Sequence, residues 1–215
     1  MVKILLNTFY FLILTSLVLA FPLDAREETP IKVLFLGDSI TAGLGVEPEQ
    51  AYPSLVDRMI KDKGISGVSI INGSISGSTT ASALSRLKWF QRTRPDILVL
   101  ALGANDGLRG LSTQNMAENL GKAIGFAKEQ GMAVILAGME VPPNYGPSYS
   151  KDFRQVFPSL AAKYQITLIP FLLKDVGGVA GMNQEDGIHP NPEGHRIIAR
   201  TVFPYVMEQI EKKLR

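Results

Sequence analysis

Five short apolar runs constrain this chain most, because each is followed within a residue or two by glycine, proline or polar residues. They are Ile31–Leu36, Val68–Ile71, Asp96–Leu102, Met132–Ala137 and Ile166–Ile169. Runs of four to seven residues without polar alternation read as strands covered on both faces. Helical patterns lie between them. Met116, Leu120, Ile124 and Ala127 share one face of a helix, and Phe153, Phe157, Leu160 and Tyr164 share another. Both stripes read as core. A last helix opens with Asn191 as N-cap and Pro192 in its first turn. Pro204 is expected to kink it or to mark its final segment. Strands alternating with helices require parallel pairing through right-handed crossovers. The predicted fold class is therefore α/β, a three-layer α/β/α sandwich around a central, mostly parallel five-stranded sheet.

Sheets of this kind hold their ligands at the carboxyl ends of the strands. Unusual polar residues should then cluster just after the strands, and they do: Gly37-Asp-Ser39, Asn72 to Gly77, Gly103-Ala-Asn105-Asp106 and Pro142 to Gly146. Composition narrows their chemistry. The 215 residues include no Cys and two His, His189 and His195. Disulfide scaffolds, zinc fingers, iron–sulfur sites, cysteine nucleophiles and histidine-rich metal sites are excluded. Lys and Arg number 22 against 20 Asp and Glu, a net charge of +2 with no basic block, so no nucleic-acid partner is expected.

The N-terminus reads as an address. Lys3 precedes the apolar run from Phe9 to Ala20, and the polar segment Asp24 to Glu28 follows, the layout of a secretory signal. Residues 1–25 are expected to be a signal peptide cleaved after Ala20 or Ala25, leaving 26–215 as one domain that is exported, periplasmic or secreted. The rival is a retained anchor. It is disfavoured because Ile4 to Phe21 spans 18 residues interrupted by Asn7 and Thr8, short of the ~20 a spanning helix needs.

Within the clusters, Ser39 follows a strand and a glycine, so its hydroxyl and N–H can both face a ligand. Taken alone it reads more readily as a cap or turn residue. No G-x-S-x-G elbow, dinucleotide fingerprint or phosphate-binding loop is present. A serine nucleophile needs a base. His189 lies three residues after Asp186, with Gly187 permitting a tight turn. A carboxylate so placed can accept from ring Nδ1 and leave Nε2 to take the serine proton, although Asp186-Gly187 reads equally as a plain turn. His195, among Glu193, Arg196 and Arg200, reads as a solvated helix residue. Asn105 offers a side-chain amide and Gly77 an unobstructed N–H to an oxyanion, while each reads by itself as an ordinary loop residue.

Taken in order, Gly37-Asp-Ser-Ile, Asn72-Gly-Ser-Ile-Ser-Gly77, Gly103-Ala-Asn-Asp-Gly107 and Asp186-Gly-Ile-His-Pro-Asn191 resemble the successive blocks of the SGNH (GDSL-type) hydrolases. The likeness runs from about Ile31 to the final helix. Within the family it is nearest to the bacterial arylesterase, thioesterase I and lysophospholipase group, as Gly107-Leu-Arg-Gly110 and Val141 to Gly146 also suggest. The resemblance implies a flavodoxin-like fold, with Ser39 as nucleophile, His189 as base and Asp186 as its partner. It also implies an oxyanion hole from the Ser39 N–H, the Gly77 N–H and the Asn105 side chain. Ile40 stands where Leu is common and Ala104 where Gly often precedes the Asn; neither touches a reacting group.

The expected function is an exported serine esterase that forms an acyl-enzyme on lysophospholipid, aryl or acyl esters, with thioesters in reach. No metal or organic cofactor is required. The expected partner is a small-molecule or lipid ester, with transient contact at a membrane surface and a monomeric chain. Met139, Val141, Pro142, Pro143, Tyr145, Phe171 to Leu173, Val176, Val179 and Met182 either wall an acyl site or belong to the core. Asp38, beside the nucleophile, either fixes the loop or caps a turn. The alternatives are a carbohydrate acetyl esterase on the same scaffold and an exported binding protein without chemistry.

Overall fold

The computed structural model describes residues 30–215. The expected leader, residues 1–25 with cleavage after Ala20 or Ala25, lies outside the described residues. The apolar runs become β1 (Ile31–Gly37), β2 (Val68–Asn72), β3 (Ile97–Ala101), β4 (Ala133–Ala137) and β5 (Thr167–Ile169). They form one parallel sheet in the order β2-β1-β3-β4-β5. Helices α1 (Ser39–Ala42), α2 (Tyr52–Asp62), α3 (Ala83–Phe90), α4 (Ala104–Leu108), α5 (Thr113–Glu129), α6 (Pro147–Tyr164) and α7 (Pro192–Leu214) connect and flank the strands.

Full burial belongs to the middle of the sheet. Val33 to Leu36 and all of β3 are closed to solvent, whereas the edge strands β2 and β5 are mostly half-buried. Each large apolar side chain taken from water contributes roughly 1.5–3 kcal/mol, so β1 and β3 anchor the fold. Met116, Leu120, Ile124 and Ala127 line the inner face of α5 as their spacing predicts, and Phe153, Phe157 and Leu160 do so on α6. Asn191 caps α7 by accepting from the N–H groups of Glu193 and Gly194, each at 3.0 Å. That helix passes through Pro204 and runs on to Leu214. Among the described residues, no helix is long and apolar enough to cross a membrane.

Register prepares the site. Gly37 at the end of β1 sits beside Ala101 at the end of β3, so the residues after each strand emerge together. Strand order reverses there, between β1 and β3, which is where such sheets open a crevice. A side chain at Gly37 has no room: a Cβ would lie 2.2 Å from Thr41 Oγ1 and 3.0 Å from the Ala101 carbonyl.

Candidate active site

Asp38 ends β1 and starts α1. Its Oδ1 accepts from the Ile40 N–H at 3.1 Å, and the turn closes at Gly43 in the left-handed region, φ 81°. This places Ser39 in the first turn of α1, 8% exposed, with its hydroxyl at the mouth. Both sequence readings of Asp38 hold, since capping the turn is what fixes the loop. Its Oδ2 is buried without a hydrogen-bond partner. Burial pushes this carboxyl group up to about 6, against the opposing pull of the Ile40 N–H and the His189 ring.

His189 reaches Ser39 from the far end of the chain. Its Nε2 lies 2.9 Å from Ser39 Oγ, and its Nδ1 lies 2.6 Å from Asp186 Oδ2. The other carboxylate oxygen, Oδ1, accepts from the N–H groups of Ile188 at 2.9 Å and His189 at 3.0 Å. Gly187, φ 70°, permits this tight wrap. The His189 N–H, then its ring, then the Ile188 N–H hold the Asp186 carboxyl down to about 2. Asp186 therefore stays ionised and favours the tautomer with its proton on Nδ1, leaving Nε2 free to accept.

Gln184 ties this loop to the turn that follows Ser39. Its amide nitrogen donates to the Leu44 carbonyl at 2.7 Å and to the Pro190 carbonyl at 3.0 Å. Gly45 makes room, because a Cβ there would lie 2.1 Å from the Gln184 side-chain oxygen. Sequence reasoning passed over Gln184, which carries no signal outside the fold.

The remaining polar groups converge from β2 and β3. Gly77 adopts φ 77°, and Arg109 Nη2 holds its carbonyl at 3.0 Å. Asn105, in the first turn of α4, donates one amide hydrogen to the Ser78 carbonyl at 3.1 Å. Its second amide hydrogen remains for a ligand. Asp106, only 3% exposed, accepts from Thr80 N at 2.9 Å and Thr80 Oγ1 at 2.6 Å. This buried pair locks α4 against the loop that carries Gly77. Sequence reading placed Asp106 only among the polar residues that follow β3. All five expected residues, Ser39, Gly77, Asn105, Asp186 and His189, thus lie on loops or helix turns that follow the carboxyl ends of the strands.

His195 does not match its solvated reading. It is fully buried, its ring stacks on Tyr52 with centroids 6.3 Å apart, and Nδ1 accepts from the Tyr52 N–H at 3.3 Å. Burial pulls it down to about 4, so it packs as a neutral ring between α7 and α2. The residues offered as an acyl wall divide. Met139, Leu172 and Val176 belong to the core, while Val179 is 42% exposed. Tyr145 braces a loop, its hydroxyl donating to the Leu108 carbonyl at 2.8 Å.

A GDSL-like lipase/acylhydrolase family model matches residues 35–197. The chain belongs to this family. With the family comes an ester-hydrolase type of enzyme, on the SGNH fold. An arylesterase of Vibrio mimicus is 40% identical over 202 residues, covering 94% of this chain and 98% of that protein. Thioesterase 1/protease 1/lysophospholipase L1 of Escherichia coli K12 is 34% identical over 178 residues, covering 82% of this chain and 84% of its own. A crystal structure of TesA superposes with a TM-score of 0.80 at 38% identity, covering 83% of this hydrolase and 99% of that chain.

Proposed function

We propose that this hydrolase cleaves carboxylic esters through a Ser39–His189–Asp186 triad and an acyl-enzyme. The observation that carries the reading is the unbroken relay from Ser39 Oγ through His189 to Asp186, at 2.9 and 2.6 Å. His189 Nε2 takes the Ser39 proton as Oγ attacks the ester carbonyl. The oxyanion forms among the Ser39 N–H, the Gly77 N–H and the free amide hydrogen of Asn105. Donors of this kind are each worth ~10²–10³ in turnover. The tetrahedral intermediate collapses, His189 gives its proton to the leaving alkoxide, and water repeats the sequence on the acyl-Ser39 ester. The chain's own residues supply every proton transfer.

Lysophospholipids and related acyl or aryl esters are the proposed substrates. The names of the relatives point there, and Ile75, Leu108 and Ile188 expose apolar surface close to Gly77, Asn105 and His189. Apolar surface favours acyl chains, since each buried CH₂ adds about 0.8 kcal/mol. Export is proposed on the N-terminal sequence, and it would place the enzyme away from cytosolic acyl thioesters.

The test is hydrolysis of p-nitrophenyl esters from acetyl to palmitoyl, with Ser39→Ala in parallel. A Ser39-dependent optimum at medium or long chains supports a lipid-type acyl hydrolase. An optimum at acetyl would set aside lysophospholipids in favour of short aryl esters or acetylated sugars. Equal background rates from both proteins would refute the serine mechanism.

A further inference from the structure

Arg86 stands on α3, away from Ser39, His189, Asp186, Gly77 and Asn105 in sequence, and the mechanism above gives it no task. Its guanidinium nevertheless bonds to the segments before Ser39 and around Gly77. Nη1 donates to the Gly37 carbonyl at 3.2 Å and to Ser78 Oγ at 2.9 Å, and Nη2 donates to the Gly73 carbonyl. Gly37 lies two residues before Ser39. Gly73 and Ser78 bracket the loop that carries Gly77, and the Ser78 carbonyl orients the Asn105 amide at 3.1 Å.

The guanidinium is half-buried and makes these bonds to neutral oxygens. Among the described residues, no carboxylate lies within ion-pair distance of it. Burial depresses its affinity for its proton, and the Asp38 charge works against that. Charge-assisted bonds from a rigid planar fork are stronger and more directional than neutral ones. An arginine held there without a counter-ion therefore fixes the oxygens around it. Past Asn72, where the pairing of β1 with β2 ends, backbone bonds from Gly73 to Phe35 and from Ile75 to Gly37 carry the loop as far as Ile75, and the Arg86 fork extends the hold to Ser78.

We infer that Arg86 is a positioning residue for ester hydrolysis: its fork sets the Gly77 and Asn105 donors at fixed distances from Ser39 without touching substrate. This rests on the oxyanion assignment proposed above. Displacement of such donors by about 1 Å suffices for ~10²-fold losses in turnover.

The experiment compares wild type, Arg86→Gln, Arg86→Lys, Asn105→Ala and Arg86→Gln/Asn105→Ala on p-nitrophenyl butyrate, with urea unfolding of each. Arg86→Gln is expected to lower kcat by ~10–100-fold, with KM within about twofold. The acid limb of the kcat/KM profile should stay in place, since it reports the base and not the donors. The double variant is expected to lose less than the product of the single losses, because both changes act on the same hole. Should Arg86→Gln fail to fold, Arg86→Lys decides, since donors on one ammonium nitrogen cannot reproduce the spread of a planar fork whose two nitrogens reach separate oxygens. Folded variants with wild-type kcat, a loss confined to KM, or losses that multiply would each overturn the inference. Ser39→Ala, run alongside, separates the cases. If it retains wild-type turnover, the nucleophile assignment fails; if Asn105→Ala does, the oxyanion assignment fails; if both lose turnover while Arg86→Gln keeps it, only the clamp fails.

Discussion

Replacing Asp38 by Asn removes a charge from beside Ser39 while keeping the turn. Asn can still accept from the Ile40 N–H, the bond Asp38 makes at 3.1 Å. What changes is titration. The carboxyl group takes up its proton at about 6 in the fold, against an ordinary 3.8. At ~1.4 kcal/mol for each pH unit between them, the buried ionised form costs about 3 kcal/mol of stability. The sign follows from proton counting. Below pH 3.8 both folded and unfolded states carry the proton, and no cost exists. Between 3.8 and about 6 the native state holds a proton that the unfolded chain has released, so stability falls as pH rises. Above about 6 the full cost remains.

Asn does not titrate. The unfolding free energy of Asp38→Asn minus that of wild type should therefore rise by about 3 kcal/mol between acid and neutral pH. Urea unfolding at a series of pH values measures it. Any fixed effect of the amide moves the whole difference without changing its slope, and His195, which titrates nearby, is common to both proteins. The variant should also turn over more slowly, because the ionised Asp38 favours the protonated His189 that forms during attack. A difference in stability that is flat with pH would refute the reasoning, since it would mean that burial of Oδ2 does not penalise the charge.

Asp186→Asn should lower kcat by ~10⁴ at neutral pH, as expected when the partner that sets the imidazole tautomer loses its charge; steady-state kinetics with KM little changed is the check. The hydrogen bonds to ionised Asp186 are present above 3.8 and are lost only as pH falls through about 2, so Asp186 should leave no limb in the wild-type pH–activity profile at ordinary pH. His195→Ala should destabilise by about 2–4 kcal/mol through the cavity and the orphaned Tyr52 N–H, read by urea unfolding, with kcat of the folded variant within about twofold. The neutral His195 ring stabilises above 6.5 and loses that contribution as pH falls through about 4, so His195→Ala should show a shallower acid decline than wild type.

The sheet was legible in the sequence because its middle strands are buried on both faces, which leaves runs such as Val33 to Leu36 without a polar residue. The site was legible for a related reason. Ser39, Asn105 and the Asp186–His189 turn stand where strands or helices begin and end, and polar residues there carry recognisable spacing. Arg86 and Gln184 were not legible, since an arginine on a helix and a glutamine in a loop look ordinary until the tertiary partners arrive. His195 was misread for a correctable reason. Its sequence neighbours Glu193, Arg196 and Arg200 pair with one another on the outer face. Helical periodicity instead groups His195 with Ile198, Ala199 and Val202, all buried.

The proposed nucleophile and base, Ser39 and His189, stand 150 residues apart, one just after the first strand and the other just before the last helix. On that proposal, synthesis of this chain proceeds in chemical silence. A growing polypeptide holds its serine early but has no group to activate it until the His189 loop has been made and has seated. Ester hydrolysis thus works as a seal on the finished molecule: a turnover event certifies that the first and last parts of the fold have met.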